Sequence, residues 1–360
     1  MKFYNLKLDS NVDAVLNQAG TWFLHSGIQE DNGGVARYYR ADAEVNAAVS
    51  NEITGYACSA FAFLHERTGD TSYLDAGLNA AEYLVDHAWN KASSTFPFEP
   101  GSNLAYFFDI GIICRGLMAL WRTHGHDEFR TRAQEAALSL GFDFLGDGIF
   151  HPIITLPEKE PLPVEPRWSR QSGCYQLKAA LIWRELGDPH AARMFDVVLA
   201  MGLATHKAFL ESETDREKLM DRLHAYCYFL EALLAATEHK EVREALVWGI
   251  GRVGTLLREI SPSFERSDVN AQLLRVRLFA HYEGVVRIDE RSACQEAQRA
   301  AGFQDISDEA RLAGGFWFGR KGFDVVPYSN PVSTAFCMQA LALWDDHKRG
   351  RWNAQVSQLI

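Results

Sequence analysis

The chain has 360 residues, of which 47% are hydrophobic and 23% charged, with 36 Lys and Arg against 47 Asp and Glu and a formal net charge of -11. That length and apolar share can hold a large core without disulfide or metal staples. The acidic balance argues against nucleic acid or an anionic membrane as partners met through a general basic field. No apolar run approaches the roughly 18 residues of a membrane span. Residues Met1 to Asp9 show neither the apolar stretch nor the cleavage site of a signal peptide, so a cytoplasmic protein is expected.

In chain order, two kinds of predicted helix alternate. A stretch striped with apolar residues comes first, over roughly 12–27. It is followed by Thr54 to Leu64, apolar on nearly every side and closed by Thr68-Gly69-Asp70. Tyr73 to Trp89 is striped again: Leu74, Leu78, Ala81, Leu84, Val85 and Ala88 recur at helical spacing, while Asp75, Asn79, Glu82 and Asp86 take other faces. The all-apolar kind returns in Ile110 to Trp121, Cys174 to Trp183, Leu223 to Ala236, Val269 to His281 and Val332 to Trp344. The striped kind returns near 127–144, 190–206, 240–259 and 289–301. A helix apolar all round is buried, and a striped one is half exposed. Six outer/inner helix pairs closing on themselves predict an all-α fold, an (α/α)6 toroid, as one domain over 1–360. The alternative for such a repeat is an open solenoid. Strand signals are weak and confined to loops, as in Val325-Val326-Pro327-Tyr328.

Connections from inner to outer helices are short. Those from outer to inner are long, roughly 28–50, 90–103, 145–171, 207–220 and 303–329. Long loops in a compact domain tend to carry function, and in a toroid these would gather at one mouth. Much of the aromatic surplus falls in or beside them: Phe96, Phe98, Tyr106, Phe107, Phe108, Trp168, Phe316, Trp317, Phe318 and Tyr328. Aromatic rings beside carboxylates and amides suit the holding of sugar rings.

Four carboxylates stand near inner-helix starts: Glu52, Asp109, Asp221 and Asp268. Glycoside hydrolysis needs two carboxyls flanking the scissile bond. Asp109 stands out because Phe107-Phe108 precede it and Ile110-Gly111-Ile112-Ile113 follow, and a carboxylate among such residues is costly unless paired or functional. It is the expected general acid, with Glu52 or Asp268 as its partner. Asp221 and Asp268 also stand where a helix cap belongs. Trp168, Tyr175, Trp317 and Tyr328 are expected to stack on sugars. Arg170, Gln176, Arg222 and Asn330 are expected to bind hydroxyls or a carboxylate, since arginine reads carboxylates bidentately. His224, with Tyr226 close by in sequence, completes the expected binding set.

Other chemistries lack their signatures. There is no GxSxG, Walker A or HExxH motif. Cys58, Cys114, Cys174, Cys227, Cys294 and Cys337 form no CxxC pair. No metal and no cofactor is expected, and all the cysteines but Cys294 read as small buried thiols.

With six alternating helix pairs, long loops on one side, and carboxylates and aromatics at inner-helix starts, nearly the whole chain resembles the six-hairpin glycosidase superfamily. The resemblance is architectural and rests on no short motif. It implies a carbohydrate substrate and acid/base carboxylates in a central cleft, for which Glu52, Asp109, Asp221 and Asp268 match in placement. That superfamily also holds polysaccharide lyases and sugar 2-epimerases. The epimerases use paired histidines on inner helices, and here His224 and His281 are the candidates. The expectation is therefore a glycoside hydrolase acting on an oligosaccharide, an acidic (uronate-containing) one among the candidates. The alternatives are a lyase or epimerase with Tyr226, His224 or Tyr175 as base, and a non-catalytic glycan-binding or scaffold toroid.

Overall fold

The computed structural model describes residues 12–165, 167–261 and 263–360. In chain order its α-helices are α1 (Val12–His25), α2 (Asn51–Thr68), α3 (Thr71–Glu82), α4 (Phe107–His124), α5 (Asp127–Phe142), α6 (Gln176–Leu186), α7 (Pro189–Glu211), α8 (Arg216–Leu233), α9 (Lys240–Ile260), α10 (Ser267–Tyr282), α11 (Glu290–Ala301) and α12 (Pro331–Lys348). Between them lie short strands: β1 (Tyr39–Arg40), β2 (Val45–Asn46), β3 (Leu104–Tyr106), β4 (Leu145–Gly146), β5 (Ile149–Phe150), β6 (Ile153–Thr155), β7 (Phe264–Arg266), β8 (Gly319–Lys321), β9 (Asp324–Val325) and β10 (Tyr328–Ser329).

The two kinds of helix differ in burial as their patterns predict. Every residue of α10 from Ser267 to Ala280, and of α12 from Pro331 to Asp346, is buried. By contrast α9 buries Val242, Ala245, Leu246, Gly249, Ile250 and Val253, one stripe at helical spacing. The even-numbered helices α2, α4 and α6 each stop at a glycine in the left-handed region, Gly69, Gly125 and Gly187, whose N–H bonds back to the last turn. The next helix begins within three residues, which keeps these connections short.

Contacts divide the chain into two compact units: Gln29–Arg37 with Ala48–Lys207, and Met1–Ile28 with Tyr38–Ala47 and Ala208–Ile360. In the first unit α2 packs on α4 and α4 on α6. The approach is backbone on backbone. A Cβ on Gly116 would lie 2.2 Å from the carbonyl oxygen of Gly55, and one on Gly111 would lie 2.4 Å from the Cβ of Ala179. Strand β3 pairs antiparallel with β6, Tyr106 opposite Ile153, and delivers the chain straight into α4.

In the second unit α8 packs on α10, α10 on α12, and α12 on α1. A three-stranded sheet, β7-β8-β9, ends at Arg266, where α10 begins. Another, β10-β1-β2, ends β10 one residue before the cap of α12.

Two expectations about elements are corrected. The long connection expected at 207–220 is mostly helix: α7 runs to Glu211 and α8 starts at Arg216, capped by Asp215, whose side chain accepts from the N–H groups of Glu217 and Lys218. Apolar residues alone placed that start near Leu223, because the first turn, Arg216-Glu217-Lys218, is polar. Asp221 and Arg222 therefore sit in the second turn of α8. The stripe at Tyr73 to Trp89 is not one regular helix either: α3 ends at Glu82 and a π-helical turn, Tyr83–Ala88, continues it. All six cysteines are free; Cys58, Cys114, Cys174, Cys227 and Cys337 are buried and Cys294 is half-buried.

Candidate functional site

In the first unit, the N-terminus of α2 is tightly defined. The Ser50 hydroxyl caps it by accepting from the Ile53 N–H. Thr54 Oγ1 donates to the Ser50 carbonyl at 2.8 Å and accepts from Val35 N–H at 2.9 Å. Asn51 donates from Nδ2 to the Pro97 carbonyl at 2.8 Å. This frame fixes Glu52, the second residue of α2. Asp109 is the third residue of α4, held by the β3–β6 pair that precedes it. It is only 6% exposed, and its Oδ2 finds no hydrogen-bond partner among the described residues.

The two carboxyls feel each other and one cation. Burial pushes Glu52 up to about 7, with Arg37 opposing the rise. Burial, followed by the charge of Glu52, pushes Asp109 well above the ordinary carboxylate range, again against Arg37. Like charges in a desolvated place cannot both ionise cheaply. Both carboxyls are therefore pushed toward the protonated form, Asp109 by the charge of Glu52 as well as by burial.

Arg37 comes from the segment before α2. Its Nη2 lies 3.3 Å from Glu99 Oε2, and its guanidinium sits 4.8 Å from the centre of the Phe98 ring. Phe98 in turn stacks on Tyr106 at 4.5 Å and 29°. Burial raises the Tyr106 hydroxyl, and the charges of Arg170, Arg167 and Arg37 oppose that. Three guanidinium groups thus act on one tyrosine that directly precedes the Asp109 turn. Arg170 has a loose partner, Glu165 at 3.9 Å. Trp168 lies in the 3-10 turn Trp168–Arg170 and meets Tyr175 edge-on at 5.1 Å. The Tyr175 hydroxyl donates to the Gln171 carbonyl at 3.0 Å, and burial pushes it up. Gln176 is fully buried with both ends used: Oε1 accepts from Gly173 N–H and Nε2 donates to the Phe150 carbonyl, each at 3.0 Å.

In the second unit, Arg266 ends β7. It donates from Nε and Nη2 to the two oxygens of Asp268 at 3.0 and 2.6 Å, and from Nη1 to Asp221 Oδ1 at 2.8 Å. Its guanidinium also lies 4.4 Å from the Phe318 ring centre. Burial, the largest single influence, would raise Asp268, but the charges of Arg266 and His224 together with the hydrogen bonds it accepts outweigh it and hold the carboxyl below its ordinary range. His224, on α8, places Nδ1 at 2.8 Å from Gln272 Oε1 and 3.6 Å from Asp268 Oδ2. Burial and the nearby Arg266 push its pKa down to about 4.

The remaining expected residues have local tasks. Tyr226 is buried against Phe229 and Trp248. Arg222 donates to the Phe209 carbonyl at 2.7 Å and Ser212 Oγ at 2.6 Å, which ties α7 to α8. Trp317 is 8% exposed and donates from Nε1 to Asp305 Oδ2 at 3.1 Å. Tyr328 packs on Tyr38 with centroids 4.7 Å apart. Asn330 is the N-cap of α12, its Oδ1 accepting from Val332 and Ser333 N–H.

Within the first unit the structure thus gathers Glu52 and Asp109 with Arg37, and Tyr175 near Asp109. Within the second it gathers Asp221, Asp268 and His224. Sequence reasoning did not single out Arg37, Arg266 or Gln272 as site residues. Arg266 was findable, because an arginine two residues before an inner-helix aspartate is a ready bidentate pair. Among the described residues no group of three His, Cys, Asp or Glu side chains could hold a metal ion, and no helix is long and apolar enough to cross a membrane.

No protein-family model matches the chain, and no curated protein matches it in sequence. Solved structures do match in fold. A sugar epimerase from a ruminal bacterium has TM-score 0.72 at 10% identity, covering 92% of this chain and 98% of that one. Cellobiose 2-epimerase from Bacillus thermoamylovorans B4167 has TM-score 0.69 at 10% identity, covering 93% and 99%. A GH76 α-mannanase from Bacteroides thetaiotaomicron has TM-score 0.62 at 11% identity, covering 95% and 98%. The fold class is therefore the one expected: all-α, of the (α/α)6 type, with no single family singled out.

Proposed function

We propose that the protein is a carbohydrate-active enzyme in which Glu52 and Asp109 do acid–base work on a sugar, with glycoside hydrolysis as the reaction. The observation that carries this reading is the state of Asp109: buried, raised, beside a second raised carboxyl, and with Oδ2 accepting no hydrogen bond among the described residues. A carboxyl kept neutral near pH 7 can protonate a leaving-group oxygen, and a partner poised near 7 can act as base or nucleophile. Arg37, Arg167 and Arg170 around Tyr106 favour an acidic sugar over a neutral one. Carbohydrate activity in the epimerases and the mannanase of the same fold supports the substrate class by analogy.

A second reading, epimerisation, is favoured by His224, a neutral imidazole bonded to Gln272 on α10. One experiment separates the two. Wild type, Asp109→Asn and His224→Gln are incubated with a panel of neutral and uronate-containing oligosaccharides in deuterated water, and products are read by mass and NMR. Hydrolysis is expected from wild type, at least 100-fold weaker in Asp109→Asn. Deuterium on a sugar carbon without bond cleavage, dependent on His224, would replace hydrolysis by epimerisation. Equal hydrolysis by wild type and Asp109→Asn would remove Asp109 from the mechanism.

A further inference from the structure

We propose that Gln272 is a positioning residue that fixes the tautomer of His224, so that Nδ1 carries the proton and Nε2 offers a lone pair as proton acceptor. Two groups face Nδ1. Gln272 Oε1 is 2.8 Å away and Asp268 Oδ2 is 3.6 Å away. Asp268 is an anion, because Arg266 occupies both its oxygens, and an anion can only accept. Turning the Gln272 amide round would make its nitrogen the donor and leave the Nδ1 lone pair facing a carboxylate oxygen. The carboxylate therefore also settles which way the amide points.

The remaining surroundings keep the ring in place. Tyr228 meets it edge-on at 4.6 Å and 62°. The charged groups acting on it are Arg266, Asp268 and Asp221, the last held by Arg266 as well. With Nδ1 committed, Nε2 is the nitrogen left for chemistry, and 12% of the His224 side chain stays accessible. Gln272 itself is fully buried, yet its Nε2 has no hydrogen-bond partner among the described residues.

The resulting step is a proton transfer. A substrate O–H or acidic C–H proton passes to Nε2, the electron pair stays on the substrate oxygen or carbon, and the imidazolium so formed is balanced by Asp268. That the substrate is a sugar rests on the carbohydrate reading above; the tautomer does not.

The test uses the full chain labelled with 15N-histidine, without ligand, followed by long-range 1H–15N NMR over a pH series. The His224 signals are assigned by their loss in His224→Gln. Wild type is expected to show a single Nδ1–H form at neutral pH. Gln272→Leu is expected to lose that single form. Gln272→Glu is expected to keep Nδ1–H while raising the ring pKa by about one unit or more, because a carboxylate replaces a neutral acceptor. An Nε2–H form in wild type, or an unchanged tautomer in folded Gln272→Leu, would overturn the proposal. If Gln272→Leu does not fold, the wild-type tautomer and the Gln272→Glu titration decide. A fixed Nδ1–H form together with no turnover of any sugar would sink the carbohydrate reading and leave the role of Gln272 standing.

Discussion

Arg266 grips Asp268 with two hydrogen bonds, 3.0 and 2.6 Å long, although both residues are buried. Asp109 is buried to a similar degree and has no such grip. Two inner-helix aspartates that look alike in sequence are thus pushed in opposite directions, Asp109 up and Asp268 down. The difference comes from one residue on a neighbouring strand end.

Asp268→Asn should therefore be strongly destabilising. It leaves the Arg266 guanidinium buried with only Asp221 as an anionic partner, and breaking a buried pair costs about 3–5 kcal/mol. Urea unfolding at pH 7 measures this directly. The pH sign follows from the depressed carboxyl. The stabilisation is complete above the unfolded-state value of about 3.9 and is lost as pH falls through the lower folded value. A variant that already lacks the carboxylate should show a flatter acid limb. An unchanged acid limb would argue that the pair contributes nothing.

Glu52 should behave in the opposite sense. Its folded pKa, about 7, lies above the unfolded one, so the folded state binds more protons between roughly pH 4.5 and 7. Wild-type stability from this group is full below that window and declines as pH rises through it. Glu52→Gln cannot ionise and should be more stable than wild type above pH 7, by about 3 kcal/mol at full ionisation, while matching it near pH 4. Thermal unfolding at the two pH values tests the crossover. A Glu52→Gln variant less stable than wild type at pH 8 would contradict a raised carboxyl.

Gly116→Ala should disturb α2 and α4 together. The new methyl would meet the Gly55 carbonyl at 2.2 Å, a contact no side-chain motion can relieve. Overpacking of this kind typically costs 1–3 kcal/mol or more. The expected result is a lower melting temperature, with the activity lost in the folded fraction exceeding that in Gly125→Ala. Gly125 has open space around its Cβ position, and its cost there is backbone strain alone.

Glu265→Gln should loosen the β8–β9 hairpin. The Glu265 carboxylate is fully buried and accepts from Arg299 at 2.7 Å, from Arg320 at 3.0 and 2.6 Å, and from Asn270 at 3.2 Å. Removing its charge takes an anionic partner from both guanidinium groups. Hydrogen exchange should accelerate in residues 319–325 well before it does in α10. Uniform exchange across both would show that the carboxylate supports the whole unit and not the hairpin.

Much of the fold was legible because burial writes itself into helical periodicity. The nearly all-apolar pattern of Val332 to Trp344 leaves little choice but a buried α12. The start of α8 was not legible, since its first turn is charged and only the Asp215 cap marks it. The strand pieces escaped notice because two or three residues carry no period. The carboxyl pair was half legible: Phe107-Phe108 and Ile110 betrayed the burial of Asp109. Nothing local in the sequence around Arg37 shows that it faces Glu52 and Asp109, because that proximity is made by the path of a connecting segment. Gln176 and Asn330 show the converse. Their amides are spent on neighbouring backbone groups, a use indistinguishable in sequence from ligand binding.

The bare contact of Gly55 with Gly116 bears on how this protein could be re-engineered. Where Gly55 meets Gly116 no side chain separates α2 from α4, so at that crossing the distance between the helices that bear Glu52 and Asp109 is set by main-chain dimensions. On the carbohydrate reading proposed above, adapting the pair to a bulkier or slimmer sugar would act through the connecting segments 89–106 and 143–175, which carry Phe98, Tyr106, Trp168 and Arg170. Variation at those half-buried side chains spares the β3–β6 pair and the helices, so libraries aimed at a new specificity belong at those positions.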